Sequence, residues 1–281
     1  MYTTFISASD LAKNLENPQW QVFDCRHELK DTEAGRNAYN AGHIPGALFA
    51  HLDEDLSGPI DAPVTGRHPL PHPDNFLKTL RSWGLNADTQ VVVYDDKGGG
   101  IAARLWWMLK AMGHEAVAVL DGGIQAWEAS GGQLSTDIPK PSEGSIEIKM
   151  QEGVAINVKE VEERSRSGQG LLIDARAAVR YRGEQEPIDP IAGHIPSAVS
   201  APWMENLGAD KKVKSKEAIA ARFQVILKDT PVEDSIVYCG SGVTACHNLL
   251  AMEYAGLRGA RLYPGSWSHW ITDKDRAIEK D

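Results

Sequence analysis

"VVVYDDKGGG" (residues 91–100) and "SIVYCGSGVT" (residues 235–244) share one pattern: a β-branched apolar run closed by a tyrosine, then a loop carrying glycines. Runs of this length and composition read as buried strands. The residue after the tyrosine differs, being Asp95 in the first stretch and Cys239 in the second. Other matches surround them. "FDCR" at 23–26 is answered by "IDAR" at 173–176, and "GHIPGA" at 42–47 by "GHIPSA" at 193–198. "LDGGIQAW", ending at Trp127, is answered by "LYPGSWSHW", ending at Trp270. Four matches in one order identify a duplicated domain. The offset is 151 between Gly42 and Gly193 but 144 between Tyr94 and Tyr238, so the first copy has a longer connection, assigned to the Pro/Gly-rich segment 57–73.

Within the second copy, "NVKEVEERSRSG" reads as a helix, "LLIDAR" as a strand, and "SKEAIAARFQVIL" as a helix capped by Ser215. "SIVYC" is a further strand, "VTACHNLLAMEYAGL" a helix, "ARLYPG" a strand and "SWSHWITD" a short last helix. Strands alternating with helices predict an α/β fold: two tandem domains, each a mostly parallel sheet with helices on both faces. The expected boundaries are 1–135 for the first domain, 136–152 for a linker and 153–281 for the second. The linker comes from the polar stretch 135–153.

A formal charge of -10 argues against nucleic acid as a partner, which calls for a basic face. No run approaches the roughly 18 apolar residues of a membrane span, and the start of the chain has no signal-peptide pattern. Three cysteines without a CxxC pair support neither a disulfide framework nor a structural zinc site. The expectation is a cytoplasmic monomer without metal or cofactor.

Cys239 falls where a strand feeds a helix, the end of an open α/β sheet at which ligands gather. Gly240 and Gly242 let the loop curl and turn its backbone N–H groups inward, as an anion cradle at a helix start. A thiol there is expected to ionise readily and act as a nucleophile. Phosphatase chemistry needs an arginine six residues after the cysteine, and that residue is Ala245. A dinucleotide fingerprint lacks its third glycine.

With these residues in view, the whole chain resembles the tandem-domain rhodanese sulfurtransferases. "CGSGVTAC" is similar to the active loop of the 3-mercaptopyruvate branch. The resemblance implies a catalytic second domain and an inactive first copy, with Asp95 standing in the nucleophile's place and dispensable for turnover. It implies that Cys239 takes a sulfane sulfur from a small anionic donor as a persulfide, then hands it to a thiol, cyanide or a thioredoxin-like acceptor. The N–H groups of Gly240, Ser241, Gly242, Val243 and Thr244 would hold the persulfide, Arg180 would hold the donor's anionic group, and Ser241 with His43 would relay a proton. Asp31 or Glu33 would supply an acidic third member. Ile188 stands where an arginine often occurs in that branch, which keeps thiosulfate open as an alternative donor. The reading from another class is a non-catalytic binding or sulfur-carrier module. Arg182, and Arg67 and His68 on the longer loop, rank behind as cleft-lining residues. Cys25 and Cys246 read as packed core, and Trp106 and Trp107 as core and interdomain contact.

Overall fold

The computed structural model describes residues 1–61 and 64–281; Ala62 and Pro63, within the longer connection at 57–73, lie outside the described residues. The strands are β1 (Phe5–Ile6), β2 (Trp20–Asp24), β3 (Leu48–Phe49), β4 (Gln90–Tyr94), β5 (Val117–Leu120), β6 (Leu171–Asp174), β7 (Val199–Ser200), β8 (Ser235–Tyr238) and β9 (Arg261–Leu262). They form two sheets, ordered β1-β5-β4-β2-β3 and β7-β6-β8-β9, with every strand pair parallel. Read from the opposite edge, the second sheet repeats the first. The counterpart of β1 shrinks to a single parallel bridge between Ala155 and Leu262.

The chain divides into two compact units. The first comprises residues 1–58, 70–151 and 209–213; the second comprises 59–69, 152–208 and 214–281. Two short segments therefore depart from the expected division. Segment 59–69 belongs with the second unit because Arg67 N–H donates to Ser268 Oγ at 3.1 Å and His68 meets Ser241. Segment 209–213 belongs with the first, where Val213 N–H donates to Asp121 Oδ1. The expected linker is also no free spacer. Its backbone is pinned to the first unit by Gly144 N–H on Arg81 O, Ile146 N–H on Leu85 O and Gln151 N–H on Ala111 O, and Ile146 is buried. The 135–153 stretch is polar in sequence, but these hydrogen bonds anchor its backbone to the domain at three points.

Helix starts follow local chemistry. Asn157 caps Val158–Ser167 by accepting the Glu160 N–H, and Ser215 caps Lys216–Leu227 by accepting the Ala218 N–H. The second unit's core joins Leu172, Ile236, Tyr238, Tyr263 and Trp267. Trp106 and Trp107 are buried in the first unit, with the Trp106 indole N–H on Thr3 O.

The repeated motifs build one scaffold twice. In the first unit, Arg26 grips Asp24 and donates to Gly42 O, while Tyr94 Oη accepts the Ile44 N–H. In the second, Arg176 grips Asp174 and donates to Gly193 O, while Tyr238 Oη accepts the Ile195 N–H. The "GHIP" histidines belong to it too: His43 stacks on Tyr39 at 4.0 Å between ring centroids, and His194 on Tyr181 at 3.8 Å.

Candidate active site

Loop 239–244 links β8 to the helix Ala245–Tyr254. Its curl needs glycine at one place. Gly242 has φ +77°, and a Cβ there would lie 2.3 Å from Pro264 O. The other wall is the helix Ser266–Trp270: Trp267 N–H donates to Cys239 O, Ser268 N–H to Gly240 O, and Cys239 N–H to Ser266 Oγ. Cys246 Sγ, one helical turn inward, donates to Gly242 O. The loop is thus held from both sides, by backbone N–H groups and by the Ser266 hydroxyl and Cys246 thiol.

Cys239 is buried, at 2% exposure. Burial alone pushes its thiol up, but hydrogen bonds from the Thr244 hydroxyl and from the N–H groups of Ser241, Ala245 and Gly242 outweigh that cost. The thiol settles below its ordinary value of 9.0. Cys25, buried beside Asp24, Asp95 and Asp55, is pushed the opposite way by burial and by those charges. One cysteine is built to ionise and the other to stay neutral.

The structure pairs Ser241 with His68 rather than with His43. His68 Nδ1 lies 2.7 Å from Ser241 Oγ, and both residues are buried. His43 has its Nδ1 2.8 Å from Tyr39 O and its Nε2 3.0 Å from Asp137 O, within the first unit. His194 repeats the first of these contacts on Tyr181 O. The motif histidine is therefore a turn-pinning residue in both copies. Glu33 pairs with Arg36, and Asp31 closes a turn on Glu28 O; neither is a hydrogen-bonding partner of His43.

Arg180 faces the loop, with Glu186 and Asp189 holding its guanidinium. Arg67, ranked lower from sequence, comes to the same place: it pairs with Asp189, and its Nη2 lies 3.1 Å from where a Cβ on Gly240 would be. Arg182 pairs with the exposed Glu184 instead. Val243 is buried and accepts the Cys246 N–H. Sequence reasoning missed Ala245 as an N–H donor to the thiol, and its position at the helix start was the available signal.

Among the described residues, His27, His51 and Asp53 bring ligand atoms together within 4.8 Å. His51 is already committed, with Nε2 on Thr32 O and Nδ1 accepting the Asp53 and Glu54 N–H groups, which does not suit a metal.

A family model described as the rhodanese-like domain matches residues 7–130 and again 157–273. The chain belongs to the rhodanese family of sulfurtransferases. It is 45% identical over 274 residues to a probable 3-mercaptopyruvate sulfurtransferase of Pseudomonas aeruginosa, covering 97% of this chain and 96% of that one. It is 32% identical to the thiosulfate sulfurtransferase of Rattus norvegicus, covering 96% and 93%. The crystal structure of SseA from Escherichia coli, a 3-mercaptopyruvate sulfotransferase with the rhodanese fold, matches with a TM-score of 0.82 at 32% identity, covering 95% of this chain and all of that one. Tandem rhodanese domains therefore account for both sheets, and the cysteine-bearing loop lies in the second.

Proposed function

We propose that this rhodanese-family enzyme takes sulfur from 3-mercaptopyruvate onto Cys239. The observation that carries the reading is the placement of Cys239 at the junction of β8 and the helix Ala245–Tyr254, where the Thr244 hydroxyl and the N–H groups of Ser241, Gly242 and Ala245 face its thiol and draw it below its ordinary value despite burial. A thiolate is the attacking form, and the same donors suit the terminal sulfur of a persulfide.

In the first half-reaction the thiolate attacks the donor's sulfur, forming the S–S bond. The carbon–sulfur bond breaks, and its electron pair passes to the carbon as the pyruvate enolate. Sulfur is oxidised to the sulfane level while that carbon is reduced. The enolate takes a proton to become pyruvate, and His68 bonded to Ser241 is the proton source beside the loop. In the second half-reaction a thiolate or cyanide attacks the outer sulfur and Cys239 leaves as thiolate, which closes a ping-pong cycle.

Thiosulfate is the second reading, favoured by Ile188, an exposed uncharged side chain where the resemblance leads to an arginine in the 3-mercaptopyruvate branch. Sulfite leaves with its own electron pair, so that reaction needs no proton delivered to carbon. The two are separated by offering each donor alone with cyanide, measuring thiocyanate, and weighing the protein for one added sulfur on Cys239. Sulfur on Cys239 from 3-mercaptopyruvate, with pyruvate released in equal amount, supports the proposal. Sulfur from thiosulfate alone moves the assignment to the second reading. No added sulfur from either donor overturns sulfur transfer and favours a binding module.

A further inference from the structure

The charged side chains beside the loop form an alternating ladder: Asp174, Arg176, Glu186, Arg180, Asp189, Arg67. Its contacts are 2.6 Å for the first pair, 3.3 Å and 2.7 Å on Glu186, and 3.0 Å from Arg180 to Asp189, before Arg67 closes on Asp189. Three cations balance three carboxylates, so an ionised Cys239 leaves the group with one excess negative charge. Without Arg67 the excess would be two, and a donor anion would enter against it.

The three guanidiniums are not equivalent. Side-chain exposure rises from 1% at Arg176 to 14% at Arg180 and 30% at Arg67. Arg176 is consumed by Asp174, Gly193 O and Glu186, and is scaffold. Arg180 and Arg67 both turn to Gly240. Measured to the position a Cβ would take there, Arg67 Nη2 is at 3.1 Å and the Arg180 terminal nitrogens at 3.5 and 3.6 Å. Asp189, only 2% exposed, bridges the pair and aims both at the loop. Arg67 is held at its backbone by Ser268, and its neighbour His68 contacts Ser241, so segment 59–69 presents both side chains to the same loop. Burial draws the Arg67 guanidinium below its ordinary value and Arg180 adds to this, while the Cys239 thiolate acts to keep it charged.

We infer that Arg67 is a donor-binding residue: with Arg180 it forms a two-guanidinium clamp for the carboxylate of a small 2-oxo acid. Arg67 reaches the loop from segment 59–69 and Arg180 from the helix Ala178–Tyr181. This deepens the sulfur-transfer reading and depends on it only for the identity of the donor. Two planar forks side by side suit the two oxygens of a carboxylate better than a single ammonium would.

The test separates binding from chemistry. In a Cys239→Ser background no sulfur moves, and 3-mercaptopyruvate binding is measured by calorimetry. Adding Arg67→Gln is expected to weaken binding at least about 10-fold, the loss of hydrogen bonds to a charged group. Arg67→Lys should fall between, and Arg182→Gln should match the background. With Cys239 present, Arg67→Gln should raise KM by the same factor and change kcat less than about 3-fold. Unchanged affinity in the Gln variant overturns the clamp, as does a fall in kcat at constant KM, which would make Arg67 a support of the loop. Thermal melting verifies folding, and the Lys variant decides if the Gln variant does not fold. If the wild-type protein fails to release pyruvate, the assignment of 3-mercaptopyruvate as donor falls while the binding comparison still judges the clamp.

Discussion

His68 Nδ1 and Ser241 Oγ meet at 2.7 Å although 173 residues separate them in the chain. Segment 59–69 is carried in sequence by the first copy but packs in the second unit, beside the nucleophile's loop. The longer connection of the first copy thus supplies an imidazole to the loop of the second unit, in which it packs.

The relay predicts a donor-dependent loss. His68→Asn and Ser241→Ala should each lower kcat with 3-mercaptopyruvate by about 10²–10⁴, the usual worth of a positioned proton donor. Transfer from thiosulfate, where no carbon is protonated, should fall far less. His43→Asn should behave in the opposite way, lowering the melting temperature while sparing the kcat of the folded protein. Equal losses with both donors would show that His68 only shapes the loop.

The Cys239 thiol gives a pH prediction. Burial raises it, and Thr244 is the largest contributor among the groups that bring it below its ordinary value. Iodoacetamide alkylation should therefore reach its half-maximal rate below the pH of an ordinary cysteine. Thr244→Val removes a donor to the thiolate, so its midpoint should move up and activity at neutral pH should fall. Because the folded-state value is depressed, Cys239 favours the folded state most above the unfolded value, and that contribution is lost as pH drops through the folded one. An alkylation midpoint that stays put in Thr244→Val would remove this hydroxyl from the site.

What could be read beforehand was local. Asn157 and Ser215 cap helices through side chains three residues from their partners, and Gly242 beside Cys239 dictates its own turn. What escaped was long-range. The "GHIP" histidine invites a catalytic reading because imidazole is reactive, but stacking on Tyr39 and Tyr181 gives it the same packing work in both copies. Arg67 and His68 sit in a Pro/Gly-rich loop with no periodicity to place them, and only tertiary contacts bring them to Ser241 and Asp189. The polar 136–151 stretch hides its attachment because backbone groups, not side chains, tie most of it down.

Asp95 fills its own loop. Its Oδ1 accepts the Lys97 and Gly99 N–H groups, and its Oδ2 those of Ile101 and Ala102, at 2.7–2.9 Å. The first copy's cradle therefore holds a built-in carboxylate. Asp95→Ala leaves buried donors unpaired and should cost about 2–4 kcal/mol of stability, read by denaturant unfolding. The kcat of the folded variant should stay near wild type. A large loss of kcat with stability intact would make the first copy part of the chemistry.

The two loop glycines should fail differently when changed to alanine. At Gly242 the added methyl meets backbone, Pro264 O at 2.3 Å, on a residue with φ +77°. Neither can yield without moving the loop, so Gly242→Ala should lose about 1–3 kcal/mol and stop persulfide formation altogether. At Gly240 the nearest atom is the tip of a long side chain, Arg67 Nη2 at 3.1 Å, with Arg180 just behind. The guanidiniums can shift by a few tenths of an ångström while the backbone stays. Gly240→Ala should therefore leave melting nearly unchanged and still allow sulfur onto Cys239 at saturating donor, but raise KM for 3-mercaptopyruvate. Combined with Arg67→Gln the two effects should not add, because the second change removes the group that the first displaces. Steady-state kinetics on the single and double variants measure this coupling, and simple additivity would place the Arg67 guanidinium away from the donor.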